Sequence, residues 1–272
     1  MPEGPEVHRQ ADQIRDAIAG EVARHVYFGQ PRLRAAGPAL TGQRVLAVRA
    51  AGKAFLIEFE DARTVYVHLQ LYGKWLVRKR GGPPKTSRTL RLQIDTDQGS
   101  AFLYSASEIA VLDPEEVAEH GYLSKLGPDL LAPETDLETV LARIRDPELG
   151  RRRLGNLYLD QGFLAGLGNY LRTEILHEAR LHPDWRLCDL DGWESRRLAK
   201  ATLALPQRSY ETGGITNDLA RAARLKAEGV KRRAYRWQAF ARAGKPCYRC
   251  GAEIERCEDA GRRLYICYGC QE

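Results

Sequence analysis

The chain opens Pro2-Glu3-Gly4-Pro5-Glu6. Once Met1 is removed, this start sets a secondary amine beside a carboxyl group. An α-amino group titrates at roughly 8, so a useful fraction is neutral and nucleophilic near pH 7, whereas a lysine needs strong desolvation to match it. Attack by such an amine on a sugar C1′ gives an iminium ion, which draws electrons from the adjacent C–H bond and makes strand cleavage by elimination feasible. The same residues also have a plainer reading. Pro2 permits removal of the initiator, and acidic groups such as Glu3 and Glu6 suit the first turn of a helix because of its dipole.

The second group able to do chemistry is Cys247-x-x-Cys250 with Cys267-x-x-Cys270, separated by residues 251 to 266. Two such pairs at this gap predict four thiolates closing a tetrahedron around one zinc ion, as two knuckles joined through a β-hairpin. With every corner filled by protein, the ion holds shape and does not activate water. A segment of about 30 residues cannot build a sufficient core alone, and metal binding supplies folding free energy on the order of 10 kcal/mol. Cys188 and Cys257 are left as ordinary thiols.

These groups need elements to position them. Val7, Ala11, Ile14 and Ile18 fall on one helical face, with Pro5 in the first turn and Gly20 at the stop. Short β-branched and aromatic runs follow: 45–48, 55–59, 65–67, 75–77, 90–94 and 102–104, with the loop Gly81-Gly82-Pro83-Pro84 among them. They predict a β-sandwich or barrel. From Pro114 the periodicity changes, and Leu137, Val140, Leu141 and Ile144 form a helical stripe. Residues 154–160 and 169–178 read as helices around the turn-forming Gly162-Phe163-Leu164-Ala165-Gly166-Leu167-Gly168. The second helix offers free N–H groups at its start, where a phosphate can bind, and Asn169 suits an N-cap. An ordinary helical hairpin explains the same pattern.

The 272 residues, 43% apolar, suit more than one domain, and 42 basic against 36 acidic residues leave a charge of +6 that fits a polyanionic partner. Basic runs occur at Arg78-Lys79-Arg80, Arg151-Arg152-Arg153 and Lys231-Arg232-Arg233, and each is equally explained as a solvated surface. The first twenty residues carry Glu, Asp and Arg throughout, and no stretch has the length and apolarity of a membrane span, which predicts a soluble cytoplasmic protein in a reducing compartment.

Taken together, Met1-Pro2-Glu3-Gly4-Pro5-Glu6, Ala51-Gly52-Lys53, Leu126-Gly127-Pro128-Asp129, Gly166-Leu167-Gly168-Asn169-Tyr170 and the four cysteines resemble the formamidopyrimidine-DNA glycosylase and endonuclease VIII family over nearly the whole chain. The resemblance implies an α+β multidomain protein. Its parts are a catalytic β-sandwich with an N-terminal helix (1–128), a helical domain with a helix-two-turn-helix (129–240), and a zinc-finger β-hairpin (241–272), with DNA in a cleft between domains. It further implies a bacterial-type, nucleoid-associated monomer with one structural zinc ion, acting on damaged DNA as a bifunctional glycosylase and AP lyase.

Carried over by position, Pro2 resembles the family's Schiff-base nucleophile, and Glu3 the acid that protonates the sugar as its ring opens. Lys53 is similar to a lysine that holds a phosphate near the lesion, and Asn169 and Arg262 to side chains that grip the phosphate flanking it. Gln70-Leu71-Tyr72 resembles the wedge of the endonuclease VIII branch, which fills the space left by an extruded base; Gln70 and Lys125 fall at DNA-contacting positions. That branch implies removal of oxidised pyrimidines and β,δ-elimination. Thr212-Gly213-Gly214 is instead similar to the sister branch, which acts on formamidopyrimidine and 8-oxoguanine, and residues 215–233 resemble no endonuclease VIII motif. A non-catalytic protein that binds damaged or single-stranded DNA is the remaining alternative; such a protein has no use for Pro2, Glu3 and Lys53 together.

Overall fold

The computed structural model describes residues 2–79, 82–259 and 261–271. Met1 of the opening motif, Arg80 of the first basic run and Gly81 of the loop lie outside the described residues. By its internal contacts the chain divides into two compact units: the first holds Pro2 and Val7–Lys125, the second Glu3–Glu6 and the residues from Leu126 on.

The first unit contains most of α1 (Gly4–Ile18), then β1 (His25–Phe28), α2 (Ala36–Leu40), β2 (Val45–Ala51), β3 (Ala54–Phe59), β4 (Thr64–His68), β5 (Lys74–Arg78), β6 (Leu90–Asp95), β7 (Ser100–Tyr104), β8 (Glu108–Leu112) and α3 (Pro114–Glu119). The strands form two antiparallel sheets, ordered β1-β6-β7-β5 and β2-β3-β4-β8. Because strand side chains alternate, Phe55, Ile57 and Phe59 of β3 face one core while Ala54 and Leu56 face another. The main core joins those residues to Phe28, Ile94 and Leu103 of the other sheet and to the α1 stripe Val7, Ala11, Ile14 and Ile18. The second, smaller cluster sets Leu56, Tyr66 and Leu112 against Val117, Tyr122 and Leu123. Two strands, β1 and β8, have no counterpart in the sequence pattern. Each lies at the edge of its sheet and is defined by its pairing, His25 with Asp95 through Phe28 with Leu92, and Thr64 with Leu112 through His68 with Glu108.

The second unit contains α4 (Leu137–Ile144), α5 (Leu154–Leu157), α6 (Asn169–Ala179), α7 (Gly192–Thr212), α8 (Leu219–Ala227), α9 (Arg232–Tyr235) and the hairpin β9 (Glu255–Asp259) with β10 (Arg262–Ile266). The helix read over 154–160 is shorter, α5, because the Asp160 carboxylate leaves the helical path to accept the Gly162 N–H at 2.8 Å and an Arg152 guanidinium N–H at 2.6 Å. Gln161 then clamps the glycine-rich turn. Its amide donates to the carbonyls of Leu159 (3.2 Å) and Leu167 (2.8 Å), and its oxygen accepts from Gly166 N–H at 3.1 Å. The N-cap of α6 is Gly168, not Asn169, which is the first helical residue. The longest helix, α7, spans 21 residues and is absent from the sequence reading; an Asp191–Glu194 capping box starts it and Pro206 lies inside it.

Candidate active site and metal centre

In the second unit, Glu3 is buried and its carboxylate sits on the N-terminus of α6, accepting from Tyr170 N–H at 2.8 Å and Leu171 N–H at 3.1 Å. Those are among the donors a helix start leaves unpaired, and the positive end of its dipole faces the acid. Two glycines make the approach possible. A Cβ on Gly168 would overlap the Glu3 carboxyl, and Gly4 donates to the Gly166 carbonyl at 2.8 Å across a gap where a Cβ would stand 3.0 Å from the Gly166 Cα. The Gly-Leu-Gly spacing in the motif therefore serves acid placement. Pro2, partly exposed, directly precedes the clamped acid.

Glu6 joins this cradle. It accepts from Glu3 N–H (3.1 Å) and from the Tyr170 hydroxyl (3.1 and 3.2 Å), and its carboxylate lies 3.7 Å from an Arg236 nitrogen. Burial, then the nearby Glu6 and Glu3 charges, push the Tyr170 phenol well above its ordinary value, so it remains a donor. Glu6, Tyr170 and Arg236 are site residues that the sequence reading did not select. Glu6 and Tyr170 stand inside quoted motifs, but nothing in the spacing shows that they meet.

Asn169 points toward the hairpin. Its amide donates to the Arg263 carbonyl at 2.7 Å, and its oxygen accepts from Arg172 at 2.9 Å. Arg172 is fully buried, ion-paired with Asp259 at 2.9 Å and donating to the Gly155 carbonyl at 2.9 Å. One guanidinium thus ties α6, α5 and the β9–β10 hairpin together. Arg262 begins β10, paired in register with Asp259, and is exposed, as is Arg263. Arg172 and Asp259 escaped the sequence reading because an arginine within a helix reads as solvated.

In the first unit, Lys53 occupies the turn joining β2 to β3, where Ala51 pairs with Ala54 and Gly52 has φ +59°. A turn with the positive φ at its first central position calls for glycine there. Lys53 is buried, and its N–H donates to the Tyr122 hydroxyl at 2.9 Å. Beside it, burial and the Lys53 charge lower the His68 imidazole, against the pull of Glu108. Gln70, at φ +50°, donates through its N–H to His68 Nδ1 (3.2 Å) and through its side chain to Glu108, which also accepts from Tyr66 at 2.9 Å. The Leu69–Gly73 turn is closed by Gly73 N–H on the Leu69 carbonyl at 2.8 Å, leaving Leu71 and Tyr72 67% and 72% exposed. Such exposure of two large apolar side chains suits insertion. Lys125 lies exposed at the end of a short 3-10 turn, where its N–H donates to the Tyr122 carbonyl at 3.4 Å.

The cysteine pairs converge. Sulfur–sulfur separations are 3.4 Å for Cys250–Cys267 and 3.8 Å for Cys247–Cys270. Tetrahedral geometry with metal–sulfur bonds of about 2.3 Å gives an edge of about 3.8 Å, so both separations suit thiols that share one metal ion. The buried His177 places Nε2 3.3 Å from Cys247 Sγ. Burial works against ionisation of Cys247, but His177 and the N–H groups of Arg249 and Cys250 outweigh it and hold that thiol down to about 6.

Residues 1–115 match the formamidopyrimidine-DNA glycosylase N-terminal domain. Over 271 residues the chain is 41% identical to endonuclease 8 of Shigella sonnei and to that of Escherichia coli strain K12, with full coverage of both chains in each case. Among solved structures it superposes on Lactococcus lactis Fpg (MutM) bound to DNA containing N7-benzyl-Fapy-dG, at TM-score 0.80 and 22% identity over 100% of each chain. A second complex of that protein, with abasic-site DNA, gives TM-score 0.80 over 99% of each. At 22% identity those two show the fold alone; the full-length identity to the endonuclease 8 enzymes goes further, and it places this chain in the formamidopyrimidine-DNA glycosylase and endonuclease VIII family.

Proposed function

We propose that the protein is a bifunctional DNA glycosylase and AP lyase of base excision repair, which removes oxidised pyrimidines and cuts the strand by β,δ-elimination. The observation that carries this reading is the Glu3 carboxylate clamped on two N–H groups of α6 directly after Pro2. With Met1 removed, the Pro2 nitrogen attacks C1′, the damaged base departs, and Glu3 passes a proton to the sugar as its ring opens. The resulting iminium acidifies the C2′ proton; its loss expels the 3′ phosphate, and a second elimination expels the 5′ phosphate. Lys53 holds a phosphate beside the lesion and assists proton transfer, Asn169 and Arg262 grip the flanking phosphate, and Lys125 contributes a further DNA contact.

Gln70, Leu71 and Tyr72 fill the stack behind the extruded nucleotide. Their exposed apolar surface offsets part of a flipping cost of a few kcal/mol, which is smallest for a non-planar, poorly stacked oxidised pyrimidine. Cys247, Cys250, Cys267 and Cys270 hold one structural zinc ion, which fixes the hairpin that carries Arg262. The working parts are then residues 1–128, 129–240 and 241–272, and the setting is the cytoplasm, on the nucleoid.

The test is borohydride trapping on an oligonucleotide duplex carrying thymine glycol. A covalent complex is expected with native protein and none when an extra residue blocks Pro2; full cleavage activity without trapping would overturn the covalent route. Running 8-oxoguanine duplex alongside checks the branch, since faster cleavage of that substrate would assign the chain to the sister specificity.

A further inference from the structure

We propose that His177 is a fifth donor of the metal centre, a spare ligand that keeps the ion bound when Cys250 lets go. The inference rests on the zinc reading above and extends it. His177 closes the third turn of α6, and its imidazole is buried. Its Nε2 and the sulfurs of Cys247, Cys267 and Cys270 all lie within 4.8 Å of one another. Cys250 is outside that set although its sulfur is 3.4 Å from Cys267. The imidazole therefore stands within ligand reach of three of the four sulfurs, nearest Cys247 at 3.3 Å.

The other ring nitrogen, Nδ1, is buried with no hydrogen-bond partner among the described residues. A buried polar atom without a partner is costly, so an imidazole serving only as packing would be a poor choice here. A nitrogen aimed at three sulfurs gives the ring a use. Of the four thiols, Cys250 is the exposed one, whereas Cys247 and Cys267 are buried and Cys270 is half-buried. Cys250 and Cys270 also line an open cavity of about 420 Å³ together with Arg180, Arg197 and Arg249, and of the two sulfurs Cys250 is the exposed one, the first that a small electrophile meets.

The exchange balances without redox change. The bond from the metal to Cys250 breaks and its electron pair leaves on sulfur; the His177 Nε2 lone pair forms the new bond as the ion moves toward Cys247, Cys267 and Cys270. The product is a Cys₃His set, itself a common structural zinc site.

The experiment uses full-length protein, native and as C250S, H177A, C250S/H177A and C267S. Bound zinc is measured after dialysis against a chelator, and the thiolate-to-metal charge-transfer bands are recorded after exchange to cobalt(II). The expected result is one zinc per chain in native, H177A and C250S protein, with four-thiolate bands in the first two and weaker three-thiolate bands in C250S. C250S/H177A and C267S are expected to retain at least about tenfold less zinc. Loss of zinc from C250S equal to that from C250S/H177A would overturn the proposal, as would retention by the double variant equal to C250S. Native protein without zinc would sink the zinc reading itself, a distinguishable failure. Should the serine variants precipitate, native folded protein answers the same question. In a C188S/C257S background, iodoacetamide is used to cap Cys250, with peptide mass spectrometry checking that Cys270 stays unmodified; zinc is expected to stay bound with His177 present and to be released in H177A, and equal release from both would overturn the proposal.

Discussion

Glu3 keeps its place only because position 168 has no side chain. In Gly168→Ala the new methyl group occupies the space of the Glu3 carboxyl, so the acid must leave the Tyr170 and Leu171 N–H groups. Hydrogen bonds to a charged group are worth about 1.5–3 kcal/mol each, so single-turnover cleavage of a thymine glycol duplex is expected to fall by about tenfold or more. Gly192→Ala, where a Cβ meets nothing within 4 Å, is expected to match native protein. A normal rate for G168A would show that the clamp does not matter to the chemistry. His68 gives a pH signature at the same scale. Burial and Lys53 depress its folded-state value below 6.5, so the unfolded chain takes up a proton near pH 6.5 that the folded chain does not. The resulting stability is present above pH 6.5 and is lost as pH falls below it. The thermal midpoint is expected to drop between pH 7.5 and 5.5, with a shallower drop in His68→Asn; equal slopes would rule His68 out as the cause.

Helix α6 is the element on which the second unit depends. It meets Glu3 at its start, the hairpin through Asn169 and Arg172, and the cysteine cluster through His177. Between these, the fully buried Glu174 accepts from the Thr216 hydroxyl (2.5 Å) and from the N–H groups of Gln238 (2.7 Å), Ala239 and Phe240 (both 2.8 Å). One carboxylate thus satisfies a chain segment that has no strand or helix of its own. Glu174→Ala strands four donors, each costing about 1–3 kcal/mol when left unmade in the interior, so a loss of at least about 3 kcal/mol in urea unfolding is expected. A loss under about 1 kcal/mol would mean that water takes over the donors. Arg172, Thr173, Glu174 and His177 are all buried, which is why no amphipathic stripe announces this helix. Its existence was legible from Asn169 and the flanking glycines, and its partners were not.

For the molecule as a whole, the excess of +6 suits a polyanionic partner, and Arg262, Arg263 and Lys125 are exposed, as the proposed phosphate contacts require. With about three or four phosphates neutralised, log affinity for a lesion duplex is expected to fall against log salt with a slope of about −3. Removing the metal with a chelator should unfold the hairpin, since the cluster of Cys247, Ile254, Tyr265 and Cys267 is too small to hold it alone. Duplex binding is then expected to weaken and the slope to become shallower as the Arg262 contact disappears; an unchanged slope in metal-free protein would separate the finger from the DNA footprint. Among the described residues, no helix is long and apolar enough to cross a membrane.

The linear order of residues was sufficient for features written in local chemistry: the cysteine pairs, the α1 stripe, six strands with period-two or β-branched signatures, and the Pro2-Glu3 pair. Such signals depend on spacing within a turn or a strand, which the chain carries along its own length. Tertiary structure alone decided the rest. The Glu3 cradle joins residues more than 160 positions apart, the edge strands β1 and β8 exist through their neighbours, and Arg172, Glu174 and His177 gain their roles from partners on distant segments. A polar side chain reads as solvated until the fold removes water from around it, and only then does the identity of its partner determine what it does.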